Sequence, residues 1–169
     1  EEQLLNATHL ILPGVGSFDW AMSKLNESGL RRTLDKLVLE NKTPTLGVCV
    51  GMQIMASQSE EGQLTGLNWI EGNVIKFNKE NILPHMGWNK IKPSFKSSIF
   101  NDIKKLEFYF LHSYYYTIKF TENILSTTQY GNIFTSAINK ENIYGTQFHP
   151  EKSHKNGIKI LENFSKIKC

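Results

Sequence analysis

Cysteine, arginine and long apolar runs are scarce in this chain. Two of its 169 residues are cysteine, Cys49 and Cys169, too few for the disulfide framework of a small secreted domain. No apolar run approaches the roughly 18 residues that a membrane-spanning helix requires. Nineteen basic residues face sixteen acidic ones for a formal charge of +3, but only Arg31 and Arg32 are arginine, and no basic block is long enough to make a nucleic-acid arm. Neither nucleic acid nor a membrane is expected as a partner, and the expected compartment is the cytoplasm. There is no initiator methionine and no signal-peptide pattern. The chain passes almost at once from Glu1 into the apolar "THLILPGVG", so an upstream portion is expected.

What is present suits one domain. Apolar residues make up 40% of the chain, enough for a sizeable core, and residues 1–169 are expected to form a single globular unit. Residues 8–12 read as a buried strand running into the glycine-rich "PGVGSFD", after which Ser17 or Asp19 can cap a helix. Gly29 is an expected break and Pro44 a stop. "TPTLGVCVG" then reads as a strand and tight turn, and "MQIMASQS" as the helix that follows. After "SEEG" the texture changes to shorter alternating stretches, from "LNWIEGNVIKF" to "ILSTTQY", with "LEFYFLHSYYYTIKF" the most aromatic. "IFTSAINKENIYGTQFHPE" reads as two strands around an Asn-rich turn. "GIKILENFSKI" closes the chain as an amphipathic helix with Ile158, Ile160, Leu161, Phe164 and Ile167 on its buried side. Strands and helices alternating at both ends predict an α/β fold, a mostly parallel sheet between helices with a strand-rich region added at one edge.

Cys49 carries the first chemical signal. In "LGVCVGMQ" it lies between Gly47 and Gly51, where a sharp strand-to-helix turn would crowd the residues two positions to either side. Such a nucleophile elbow exposes the thiol, and the start of the next helix is expected to lower its pKa. A buried, inert thiol is the other reading of the same residues. Among five histidines, His149 stands apart: it follows the apolar "YGTQF", is held by Pro150, and has Glu151 two positions on, on the same side of an extended segment. Cys49, His149 and Glu151 then offer nucleophile, base and orienter, whereas "HPE" as a capped surface turn is the structural alternative. A thiolate attacking an acyl carbon needs donors for the oxyanion. The amide of Val50 and the "PGVG" loop of Gly14, Val15 and Gly16 could supply them, although a glycine pair also serves any tight turn.

Other chemistries fit less well. Cys49 has no cysteine or histidine at ligand spacing, so no metal is expected, and neither glycine stretch matches a dinucleotide or phosphate-loop fingerprint. The run "FYFLHSYYY" could stack bases, but its alternation suits a packed strand better.

Taken in order, "LPGVGSFD", "LGVCVGMQ", "PHMGWN", "YFLHSYY" and "YGTQFHPEKS" resemble the class I glutamine amidotransferases over nearly the whole chain, and within them the branch of glutaminase subunits that serve imidazole glycerol phosphate synthases. The resemblance implies a three-layer, flavodoxin-like sheet. It also implies glutamine hydrolysis through a Cys49 thioester with His149 and Glu151, without a cofactor. Gln53 and backbone near Ser113 and Tyr114 would hold the glutamine, and Gly14, Val15 and Gly16 would form the oxyanion element. Pro84, Met86, Trp88, Asn89, Tyr109 and Lys152 would face a synthase or cyclase subunit of (β/α)8 barrel type in a heterodimer. The ammonia would serve histidine biosynthesis, or alternatively a synthase that amidates surface saccharides. A non-catalytic binding module is the remaining alternative. The family opens with a strand, helix and second strand before the match to "LPGVGSFD", so the resemblance also implies a domain truncated at its N-terminus.

Overall fold

Caps and glycines mark out the first third of the fold as its sequence suggests. The computed structural model describes residues 2–168 and begins with one turn, α1 (Glu2–Leu5), followed by β1 (Leu10–Gly14). Cys169 lies outside the described residues. Ser17 caps α2 (Phe18–Glu27), its side chain accepting from the Trp20 amide at 3.3 Å. Asp19 is used elsewhere: its carboxylate accepts from the amides of Gln63 and Leu64 at 2.8 and 3.0 Å. Gly29, at φ +70°, separates α2 from α3 (Arg31–Asp35), which widens into a π-type turn at Lys36–Glu40. This crossover lets β2 (Thr45–Cys49) return parallel to β1, with Gly14 opposite Cys49.

One turn of helix, α4 (Val50–Gln53), leaves β2, and the chain continues through β3 (Gln58–Ser59), β4 (Gly72–Lys76), β5 (His85–Lys90) and β6 (Lys92–Pro93). Next come β7 (Glu107–His112), β8 (Tyr114–Ile118), β9 (Ile124–Tyr130), β10 (Asn132–Lys140), β11 (Ile143–Thr146) and α5 (His154–Ser165). The main sheet runs β1-β2-β11-β10-β8-β4-β3, with β9 also on β10 and β6 on β9. The fold is α/β, its curled sheet flanked by helices.

Three sequence expectations need correction. The sheet is mixed rather than mostly parallel: β1, β2 and β11 are parallel neighbours, as are the short β3 and β4, but β8 pairs antiparallel with β4 and β10, and β10 with β9 and β11. Gly131 alone joins β9 to β10, and two residues join β10 to β11, connections too short for anything but antiparallel pairing. The helix expected over "MQIMASQS" stops after one turn. The carbonyls of Ile54, Met55 and Ala56, which would have continued it, instead accept the amides of Leu67, Trp69 and Asn68. Finally, Ile158 is 67% exposed, so the buried stripe of α5 is Gly157, Ile160, Asn163 and Phe164, with Leu161 and Ile167 only partly covered.

The aromatic run also divides in a way that periodicity cannot show. Its first half, β7, leaves the main sheet to form a ribbon with β5, and its second half, β8, stays in it. The break falls at Ser113.

A buried amide holds the start of β2 in place. Asn142 donates to the carbonyls of both Val38 and Thr43 at 2.9 Å, while its own carbonyl accepts from the Thr45 amide at 2.9 Å. Asn142→Ala leaves two buried carbonyls without these donors, and a loss of about 1–3 kcal/mol in unfolding free energy is expected. Urea denaturation of the variant checks it, and a midpoint unchanged from the parent would contradict the clamp.

Candidate active site

The site starts from the strained end of β2. Cys49 sits at φ 54° and ψ −113°, a region that a side chain other than glycine's enters at a cost of about 1–3 kcal/mol. Close packing of α4 on β1 enforces it. A Cβ built on Gly51 would lie 1.7 Å from the Leu12 carbonyl oxygen, and one on Gly14 would lie 2.3 Å from the Gly51 amide nitrogen. Glycine is required here for proximity, and the close approach forces the sharp turn that presents the thiol.

The second part comes from the segment after β11. Phe148, fully buried, stacks on Phe108 with ring centroids 4.1 Å apart, and the His149 amide donates to the Tyr109 carbonyl at 2.9 Å. Pro150 opens a 3-10 turn, Pro150–Lys152, and the Ser153 hydroxyl donates back to the His149 carbonyl at 2.6 Å. These contacts fix the imidazole. Its Nδ1 is 2.7 Å from Glu151 Oε1, which makes Nδ1 the protonated nitrogen and leaves the lone pair on Nε2. Nε2 is buried and makes no hydrogen bond.

Cys49 and His149 open into one cavity of about 290 Å³, also lined by Gly14, Val15, Gly16 and Gln53. Ser113, Tyr114 and Pro84 complete the sequence-predicted residues on its wall. Its size suits a ligand of amino-acid dimensions, at the small end of binding pockets. The "PGVG" loop is anchored on both sides of this opening, by the pairing of Gly14 with Cys49 and by the Phe18 amide donating to Glu61 at 2.8 Å. Gln53, 3% exposed, donates to the Tyr114 carbonyl at 3.0 Å and to Gln147 Oε1 at 3.1 Å.

The thiol is not the acidic group that the sequence suggests. Burial pushes its pKa up to about 12, with Glu151 and Glu61 adding to the rise, against the opposing hydrogen bonds of the Val50 amide and Gln147. A single turn of helix cannot offset that desolvation. The resting thiol is therefore protonated, and its S–H is directed 3.8 Å to the Leu111 carbonyl on β7 rather than to the imidazole.

Glu61, Leu111, His112 and Gln147 were not among the residues singled out from sequence. Glu61 sits in the polar "SEEG" with nothing to distinguish it, and Gln147 lies inside "YGTQFHPE", where only its neighbour His149 has a recognisable partner at fixed spacing.

On the outside, the β5–β7 ribbon gathers four of the residues expected to face a partner. Met86 and Trp88 are exposed, Trp88 pairs across the ribbon with Tyr109 at 6.3 Å between ring centroids, and Lys152 lies 5.7 Å over the Tyr109 ring. Pro84 is exposed at the cavity rim. Asn89 points the other way, on the face of β5 that carries His85, and donates to the Gln129 carbonyl at 3.0 Å.

Behind the cavity, His112 Nδ1 donates to the Tyr114 carbonyl at 2.8 Å, so its Nε2 accepts from His85 Nδ1 at 3.0 Å, and His85 Nε2 accepts from Asn89 at 3.2 Å. Both rings are neutral: burial lowers His85 to about 4 and His112 to about 3. In the unfolded chain each ring titrates near 6.5, so between pH 6.5 and these lower values the unfolded state holds protons that the fold excludes. Stability should fall as pH drops through that window, and the two rings should leave it flat above pH 7. In His112→Gln the proton uptake on unfolding at pH 5 should shrink by about one. Urea midpoints measured across pH 4–7 test this, and equal slopes in parent and variant would contradict it.

Among the described residues no group of three or more His, Cys, Asp or Glu is placed to hold a metal ion, and no helix is long and apolar enough to cross a membrane.

Residues 1–167 match the family described as Glutamine amidotransferase class-I. Imidazole glycerol phosphate synthase subunit HisH 2 of Methanococcus maripaludis is 52% identical over 168 residues, covering 98% of this chain and 83% of that protein. The HisH subunit of Leptospira borgpetersenii is 47% identical over 173 residues, covering 99% and 85%. Among solved structures, a glutamine amidotransferase aligns with a TM-score of 0.72 at 18% identity over 97% of this chain and 82% of that one. PurLQS from Thermotoga maritima aligns at 0.71 and 15% over 95% and 79%. At such identities the structural likeness speaks for the fold alone.

Proposed function

The chain belongs to the class-I glutamine amidotransferases, and from that premise we propose that it hydrolyses L-glutamine at Cys49 and passes the ammonia to a synthase partner of histidine biosynthesis. The observation that carries the assignment of residues is the elbow: a strained Cys49 opening into the same small cavity as a His149 whose Nε2 is free and whose Nδ1 is held by Glu151.

The chemistry follows from that arrangement. His149 Nε2 takes the thiol proton as sulfur attacks the side-chain amide carbon of glutamine, and negative charge moves to the amide oxygen. The Val50 amide and the loop of Gly14, Val15 and Gly16 are the donors available to that oxygen. Collapse of the intermediate breaks the carbon–nitrogen bond, with His149 returning its proton to the departing nitrogen, so that ammonia leaves and a thioester remains. Water, deprotonated by the same imidazole, then releases glutamate. Gln53, Ser113 and Tyr114 are assigned to the amino-acid end of the substrate. Glu61, half-buried on the cavity wall, adds a carboxylate suited to an ammonium group.

Free ammonia in neutral water is mostly ammonium, which is not a nucleophile, so release belongs inside a closed complex. The surface patch of exposed Met86, Trp88 and Lys152 with half-buried Tyr109, and Pro84 between it and the cavity, is assigned to the face of a (β/α)8 cyclase subunit in a heterodimer, whose product would be imidazole glycerol phosphate together with the aminoimidazole carboxamide ribotide. β7 links that face to the chemistry: its Leu111 carbonyl holds the resting thiol proton, and its Tyr109 carbonyl holds the His149 backbone. Docking that shifts β7 would free the thiol for His149.

The test pairs the protein separately with the histidine-pathway cyclase and with a sugar-amidating synthase from the same source, each with its acceptor and glutamine. Glutamine turnover coupled to imidazole glycerol phosphate formation supports the reading. Coupling only to sugar amidation would overturn the pathway, and no turnover with either would overturn the activity.

A further inference from the structure

Gln147 is fully buried next to the nucleophile, and none of the steps above uses it. Its backbone amide is bound to the Ser136 carbonyl at 2.9 Å, so the side chain enters the site from a fixed point beyond β11. Nε2 lies 3.7 Å from Cys49 Sγ, and Oε1 lies 3.1 Å from Gln53 Nε2. The orientation of the carboxamide follows from its neighbours. Gln53 Nε2 also donates to the Tyr114 carbonyl, an acceptor only, so the group facing Gln147 is a donor and must meet the Gln147 oxygen. The NH₂ end of Gln147 is thereby turned to sulfur.

We infer that Gln147 is a catalytic residue of the glutaminase reaction: its carboxamide N–H holds the Cys49 thiolate, with Gln53 fixing the carboxamide's direction. This rests on the reading of Cys49 as the nucleophile. The sulfur has two donors, Gln147 and the Val50 amide, and one acceptor, the Leu111 carbonyl. When the proton moves to His149 Nε2, the charge left on sulfur strengthens both donor bonds, because hydrogen bonds to an ionised acceptor are about twice as strong as neutral ones. As the carbon–sulfur bond forms, the charge passes to the amide oxygen of the substrate, and the Gln147 bond weakens again. Its contribution therefore falls on ionisation and acylation rather than on thioester hydrolysis. Because Gln53 is assigned to the substrate, a two-amide bridge joins the seat of the glutamine to the atom that attacks it.

Two variants separate this role from packing. Gln147→Met keeps length but removes both ends of the carboxamide. Gln147→Glu keeps an acceptor for Gln53 and removes the donor to sulfur. The titratable groups around the thiol, His149 and Glu151, His112 and Tyr114, and Glu61, are unchanged in Gln147→Met, whereas Gln147→Glu adds a carboxylate whose charge by itself raises the thiol pKa. Alkylation of Cys49 by iodoacetamide is followed against pH, with peptide mass spectrometry distinguishing it from Cys169, and kcat and KM are measured in the complex with the synthase.

Gln147→Met should lower the alkylation rate of Cys49 about tenfold at every pH between about 7 and 9, Gln147→Glu by at least as much, and both should lower kcat by about tenfold to a hundredfold, with a smaller change in KM. If Gln147→Glu restores the parental profile and turnover lost in Gln147→Met, the residue serves only to seat Gln53 and the inference is overturned. Parental profiles in both variants overturn it as well. Should Gln147→Met fail to fold, Gln147→Leu, which likewise adds no charge and offers no donor, takes its place. Cys49→Ala distinguishes the two levels: turnover that survives in it removes the nucleophile assignment, whereas a dead Cys49→Ala beside fully active Gln147 variants removes only the role of Gln147.

Discussion

Replacing Cys49 with alanine is expected to lower glutamine turnover in the synthase complex by at least about 10⁴-fold while leaving the chain folded, because losing the nucleophile removes the covalent route altogether. A glutamine-like electrophile should add one adduct to the parent protein, located on Cys49 by peptide mass spectrometry, and none at that peptide in the variant. An adduct found solely on Cys169 would sink the assignment. The elbow sharpens the expectation further. At φ 54° a glycine avoids the strain that a side chain meets, so Cys49→Gly should be as inactive as the alanine variant yet more stable than the parent by about 1 kcal/mol. Inactivity with a gain in stability would show that the strain is kept for function.

The largest expected effect on stability lies two residues on. Gly51→Ala sets a methyl group 1.7 Å from the Leu12 carbonyl oxygen, and both that oxygen and the Cα carrying the methyl belong to backbone held in the β1–β2 pairing and in α4. No side-chain rotation can relieve such a clash. Either α4 lifts from β1 and takes the elbow with it, or β1 leaves the sheet, and a loss of about 3 kcal/mol or more is expected. Urea denaturation measures it, together with iodoacetamide labelling at Cys49, whose rate near neutral pH should rise once the thiol is no longer buried. A variant of parental stability would mean that the glycine is not needed for the approach. Gly29→Ala is the contrast: it meets no atom within 4 Å and has only its positive φ to overcome, so about 1 kcal/mol is the expected loss.

The sequence by itself determined those features that rest on short-range sterics and spacing. A cysteine flanked at two positions by glycine at the end of an apolar run requires a tight strand-to-helix turn. A carboxylate two positions after a histidine can reach its ring, and Glu151 does so at 2.7 Å, although from a 3-10 turn rather than from the extended segment that the spacing suggests. Ser17 before an amphipathic stretch caps it. The five ordered motifs were enough to point to the family. The tertiary structure alone decided whatever depends on which distant backbone arrives nearby. The helix after Cys49 ends early because residues 67–69 take its carbonyls, and "LEFYFLHSYYYTIKF" divides because β5 claims its first half. Asn89 is turned from the partner face because the Gln129 carbonyl, on a strand far along the chain, accepts from it on the other side of β5. The thiol's acidity was the least legible property, since a helix start lowers a pKa and burial raises it, and only the packing around Cys49 decides which is larger. Glu61 and Gln147 reach the site through contacts 43 and 98 residues apart in the chain, a separation that no local pattern encodes.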